Sequence, residues 1–138
     1  MKKVLAIASL CMSMNAFSMN NESECENIFS AGKTDFIIGE ARLVDAARQY
    51  RAVIDSRSLA PHTDCNEIEE AKYNLIKAEP KLYSAKDTLE DAIEVCSEEE
   101  VEEINFWLGH ANKALILTGK FKALVYDFLN ENCSPKNP

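Results

Sequence analysis

"LIKAEPKLYSAKDTLEDA", residues 75–92, sets Leu75, Leu82 and Leu89 seven apart, with Ala78, Ala85 and Ala92 spaced the same way between them. The ladder extends in both directions to give Ile68, Ala71, Leu75, Ala78, Leu82, Ala85, Leu89, Ala92 and Cys96. Steps of three and four keep one seam of a helix turned toward a partner helix. Pro80 falls in the middle, yet the phase is the same on both sides of it. Two independent helices would have no reason to stay in phase. The spacing therefore predicts one helix with a local kink, at a cost of about 3 kcal/mol. The competing reading is a break, with Pro80 at the first position of a new helix.

A second ladder lies upstream. Cys25, Phe29, Gly32, Phe36, Gly39, Leu43, Ala46, Tyr50 and Val53 follow steps of four and three without interruption. Here too large residues alternate with small ones. Gly32 and Gly39 each cost about 1 kcal/mol of helix propensity. On the seam they offer a compensation, because a missing Cβ lets a partner backbone come near the short end of the roughly 8–10 Å range. The two ladders are expected to pack antiparallel, the large side chains of each lying over the small ones of the other.

A third helix starts after Ser97, which with Glu100 forms a capping box. Its apolar set is Ile104, Trp107, Leu108, Ala111, Leu115, Leu117, Phe121, Leu124, Val125, Phe128 and Leu129. That stripe is too wide for one seam and suits a helix lying in the groove between two others. Secondary rows at Ile37, Val44 and Ile54, and at Ile76, Tyr83 and Ile93, are expected to meet it. The connection "SLAPHTD" (58–64) contains Pro61, and Asp64 with Glu67 offers a second capping box. The expected fold is an all-α, antiparallel up-down-up three-helix bundle, with long helices at about 22–57, 65–96 and 98–131.

The first residues have the form of an export signal: Lys2 and Lys3, the apolar stretch "VLAIASLCMSM", then the small residues of "AFS". Cleavage is expected after Ser18, leaving residues 19–138 as a single domain in the periplasm or outside the cell. A lipid anchor at Cys11 would need a small residue before it, and Leu10 stands there. Removing Lys2 and Lys3 takes the net charge from −8 to −10. Such a field repels nucleic acid and anionic membrane surfaces. No later apolar run approaches the roughly 20 residues of a membrane span.

Without Cys11, four cysteines remain: Cys25, Cys65, Cys96 and Cys133. An even count in a small exported domain favours disulfides over metal ligation, and no spacing is that of a zinc knuckle. In the bundle, Cys25 and Cys96 fall at one end, Cys65 and Cys133 at the other. Pairing Cys65 with Cys96 would span a whole helix, roughly 46 Å at about 1.5 Å per residue. Cys25–Cys65 fails likewise, since bridged Cα atoms lie within about 7 Å. The expected bridges are Cys25–Cys96 and Cys65–Cys133.

Candidate chemistry is sparse. "SEEEVEE" (97–103) places Glu98, Glu99, Glu100, Glu102 and Glu103 in the first turns of a helix. Carboxylates favour that end through the helix dipole, and consecutive positions fan out rather than converge on a cation. Arg42, Arg48, Arg51 and Arg57 reverse the sign of the chain locally, which suits an acidic partner or an anionic envelope polymer. Asp45 and Asp55 at helical spacing offer ordinary surface pairs instead. His62 and His110 lack the convergent spacing of metal or haem ligands. No phosphate loop or nucleophile elbow is present, and nothing singles out an acid–base pair among 23 acidic residues. The expectation is a non-enzymatic, exported protein that binds another macromolecule, a protein or envelope polymer, with no cofactor and no metal. The alternatives are a small-ligand carrier with a pocket between helices and, less in keeping with the sequence, an enzyme of unidentified type.

Overall fold

The computed structural model describes residues 2–56 and 61–135, with side chains over 21–56 and 64–135. Its elements are α1 (Lys2–Asp55), α2 (Pro61–Val95), α3 (Glu98–Phe128) and a terminal π-helical turn (Leu129–Cys133). The described residues contain no strand. The chain is a three-helix bundle closed by two disulfides, Cys25–Cys96 and Cys65–Cys133. Each bridge ties off a long loop, worth on the order of 4 kcal/mol in the chain-entropy view.

α1 and α2 are antiparallel, and their ladders interlock. Each step forward on α1 is matched by an equal step back on α2: Cys25 bonds Cys96, Gly32 faces Leu89, and Gly39 faces Leu82. The same register sets Phe29 against Ala92, Phe36 against Ala85, Leu43 against Ala78 and Ala46 against Leu75, all of them buried. A large side chain thus meets a small one at nearly every level. A Cβ on Gly39 would stand 2.8 Å from Leu82 Cγ and 3.2 Å from the Leu82 backbone nitrogen. The glycines are the condition for this close approach. Burying the Leu and Phe side chains stabilises the pair by about 1.5–3 kcal/mol each.

α2 passes through Pro80 as one helix. Pro80 is exposed, on the side away from the seam. A helical proline frees the carbonyl four residues earlier, here that of Ile76, whose residue is also exposed. Water can satisfy that carbonyl, and the buried ladder keeps its phase.

Three boundaries differ from the sequence reading. α1 is helical from Lys2, so the stretch assigned to the export signal runs on into the first bundle helix without a break; no glycine or proline precedes Gly32 to interrupt it. α2 begins at Pro61 rather than near Cys65. Proline suits a first helical position, and Asp64 becomes a first-turn carboxylate instead of a cap. α3 ends in a wider π turn, closed by the Ser134 N–H donating to the Leu129 carbonyl at 3.0 Å. Ser97 and Glu100 do form a capping box.

α3 leans on α2 and touches α1 mainly through long side chains. Its buried seam is Ile104, Ala111, Thr118 and Val125 at seven-residue steps, flanked by Ala114 and Phe128. Thr118 is fully buried because its hydroxyl donates back to the Ala114 carbonyl at 2.8 Å. Toward α1 the spacers are aromatic: Phe36 meets Trp107 edge-on at 5.6 Å, and Tyr50 meets Phe121 at 6.1 Å. The secondary rows expected to receive α3 do not do so. Ile37, Val44, Ile54, Ile76 and Tyr83 are exposed, as are Leu117 and Leu124 of α3 itself. Only Ile93 of those rows packs on the core. The reason is size: alanines and a threonine let α3 approach α2 closely, whereas the aromatics hold it off α1.

Candidate functional site

The four arginines do not act as one patch. Arg42 points across to α2, where its Nη1 donates to Asn74 Oδ1 at 3.1 Å while Asn74 Nδ2 donates to Gln49 Oε1 at 3.0 Å. It belongs to a polar bridge over the buried Asn74. On the same side, Asp35 accepts from Ser84 Oγ at 2.6 Å and from Lys81 Nζ at 2.9 Å. Those two donors hold the Asp35 carboxyl below its usual range. Arg48 pairs with Asp45. Arg51 is exposed and makes no ion pair among the described residues, Asp55 included. Arg57 lies outside the described residues.

The acidic run fans out as helical geometry requires. Glu100 Oε2 accepts from the Ser97 N–H and hydroxyl at 3.2 and 3.1 Å and lies 3.1 Å from Cys25 Sγ. Glu103 accepts from Trp107 Nε1 and faces Lys33 across the α1–α3 contact at 3.8 Å. Cys25, Cys96 and Glu100 bring potential ligand atoms within 4.8 Å of one another. The two sulfurs are bonded to each other, so neither is a thiolate, the form that ligates a metal. A cleft of about 750 Å³ opens beside this bridge, lined by Glu22, Glu26, Phe29, Glu99 and Glu100 among others. His110 stacks edge-on against Phe106 at 4.5 Å; the side chain of His62 is outside the described set.

The sequence reading missed an apolar surface, the open side of the α1–α3 contact. The two helices run parallel in a register set by Lys33 with Glu103, Phe36 with Trp107 and Tyr50 with Phe121. That register brings Ala47 alongside Leu117 and Ile54 alongside Leu124. Because aromatics hold the helices apart, Leu117 and Leu124 are each 45% exposed. The outer rows are Ile37, Val44 and Arg51 on α1, and Phe106, Lys113 and Lys120 on α3. Phe106 is 60% exposed, and Lys113 and Lys120 make no ion pair among the described residues. One sequence signal pointed here: residues 104–126 contain no aspartate or glutamate, in a chain that carries 23 of them.

No helix of the described residues is long and apolar enough to cross a membrane. The chain matches no protein-family model, no curated protein and no solved structure.

Proposed function

We propose that this chain is a non-enzymatic binding module that works outside the cytoplasm, exported by its first residues and holding another macromolecule on a helical face. The observation that carries the reading is the set of exposed apolar side chains along the open side of the α1–α3 contact: Leu117 and Leu124 on α3, with Val44 and Ile54 on α1. Exposed apolar side chains gathered on one face mark interaction sites. Bridges at both ends of the bundle make the face rigid, which lowers the entropy lost on docking. Two disulfides in so small a domain fit an oxidising compartment such as the periplasm or the exterior. Crosslinking in intact cells of the native host, followed by identification of the captured molecules, tests the reading. A reproducible macromolecular partner supports it, and repeated empty captures overturn it.

A second reading, a small-ligand carrier, draws on the cleft beside Cys25–Cys96. The interlocked α1–α2 seam itself leaves no interior room, since its alanines and leucines are essentially inaccessible. A carrier would therefore use the end of the bundle and favour a cationic ligand facing Glu22, Glu26, Glu99 and Glu100. Native mass spectrometry of the purified protein separates the two readings, because a retained small mass appears only for a carrier.

A further inference from the structure

We infer that the α1–α3 groove docks an acidic amphipathic helix of a partner protein, which lies along the bundle as a fourth helix. This rests on the binding-module reading and names its site. The floor is apolar along Ala47, Ile54, Leu117 and Leu124, backed by the half-buried rings of Tyr50 and Phe121. Arg51 stands on one bank and Lys113 and Lys120 on the other. Helix-in-groove recognition presents apolar anchors at three- and four-residue steps. A helix whose apolar stripe is edged by carboxylates on both sides meets this floor and both banks at once. That is the arrangement by which charges flanking a heptad seam select a partner.

The charge is local to this face. α3 carries Lys113, Lys120 and Lys122 with no acid between Ile104 and Tyr126, and Asp127, seven residues after Lys120, ends the lysine bank. Lys122 is engaged elsewhere, with Glu79 at 2.7 Å; Lys113 and Lys120 make no ion pair among the described residues. Toward the Cys25 end the groove changes character: one heptad before Ala47 and Leu117 its floor carries Glu40 and His110, with the Lys33–Glu103 pair beyond them. The docked helix is thus expected to cover the half nearer Cys65–Cys133. A lipid surface fits less well. The leucines lie between two helices rather than on a convex ridge, and the bank cations are separated by the apolar floor.

The test uses the full oxidised chain and a synthetic helix of about three heptads, with leucine on one stripe and glutamate at both edges. Saturable binding is expected, weakening with salt and falling about tenfold or more in Arg51→Glu with Lys120→Glu. Leu117→Ser with Leu124→Ser should abolish it. All four positions are exposed, and an unchanged thermal midpoint confirms that the variants fold. Equal binding of the same peptide edged with lysine overturns the proposal. So does binding to phosphatidylglycerol vesicles, without peptide binding, that the same variants abolish. A concentration-dependent dimer dissolved by those variants, with no peptide binding, assigns the groove to a second copy instead. In cells, a photo-crosslinker at Leu117 should capture a segment rich in Asp and Glu, and one at Ile38, on the opposite side of α1, should not. Capture at Ile38 alone overturns the groove and leaves the binding module standing; capture at neither position overturns both.

Discussion

Leu82 fills the space that a side chain on Gly39 would need: its Cγ and Cδ2 lie 2.8 Å from the ideal Cβ position, and its backbone nitrogen lies 3.2 Å away. A leucine side chain can rotate away, but a backbone nitrogen inside a helix cannot. At Gly32 the equivalent nitrogen, that of Leu89, is 3.5 Å away, which is ordinary contact. Replacing glycine by alanine in a helix gains about 1 kcal/mol of propensity, whereas overpacking a tight core costs about 1–3 kcal/mol. Gly39→Ala is therefore expected to lower the thermal midpoint, and by more than Gly32→Ala. Gly109→Ala and Gly119→Ala, where nothing lies within 4 Å, should raise it. Thermal unfolding of the four variants checks the order, and a stabilising Gly39→Ala would contradict the close seam.

Pro80 gives the opposite case, a residue that departs from local preference without touching the core. Pro80 and Ile76 are both exposed residues, so water can reach the freed carbonyl, while the ladder beneath remains in phase. Pro80→Ala should restore one helical hydrogen bond and stabilise the chain, by up to about 3 kcal/mol. Denaturant unfolding should show a higher midpoint with an unchanged slope. A destabilised variant would mean that Pro80 sets a bend on which the α2–α3 packing depends.

The ladders were legible because their signal is redundant: a seam repeated over many turns fixes phase, and phase fixes which helix ends meet. That is why the cysteine pairing followed from the sequence. The flank taken by α3 was not legible in the same way. A two-helix seam has two open sides, and spacing alone does not say which one a third helix covers. Arg42 and Arg51 illustrate the consequence. Both are arginines on α1, yet Arg42 bridges to Asn74 on the side away from α3, whereas Arg51 stands on the bank of the α1–α3 groove. Counting sevens from Val44 to Arg51 shows that they occupy different rows, but only the placement of α3 gives those rows meaning. The exposure of Leu117 and Leu124 was hidden for a related reason. Their spacing marks them as apolar-face residues, and it took the aromatic spacers between α1 and α3 to leave them uncovered.

Asp35 should make stability depend on pH at the acid end. Hydrogen bonds from Ser84 and Lys81 lower its folded pKa below the ordinary value of 3.8. A lowered carboxyl value contributes stability that is complete well above pH 3.8 and is lost as pH falls through the folded value. Asp35→Asn should be less stable than the parent near neutrality and equal to it once both carboxyl states are protonated. Lys122 is the mirror case, raised above 10.5 chiefly by its hydrogen bond to Glu79. Its contribution is present below that value and is lost as pH rises through the folded one. Urea unfolding across pH checks both signs. A parent-to-variant gap for Asp35 that widened toward acid would refute the first.

The carboxylate of Glu100, 3.1 Å from Cys25 Sγ, should make the Cys25–Cys96 bridge the slower of the two to reduce. Reduction requires a thiolate to approach a bridge sulfur and another thiolate to leave. A neighbouring negative charge opposes both, and Cys25 is also almost wholly shielded from solvent. Cys65 and Cys133 are both partly exposed, so a reducing thiolate reaches their bridge more easily. In a dithiothreitol time course, trapped by alkylation and mapped by peptide mass, Cys65–Cys133 should open first. Glu100→Gln keeps a side chain able to cap the first turn of α3 but removes the charge. It should speed opening of Cys25–Cys96 several-fold and leave Cys65–Cys133 unaffected. If both bridges quickened together, the substitution would have loosened the fold rather than removed a local repulsion, and melting curves of the oxidised protein would register that directly.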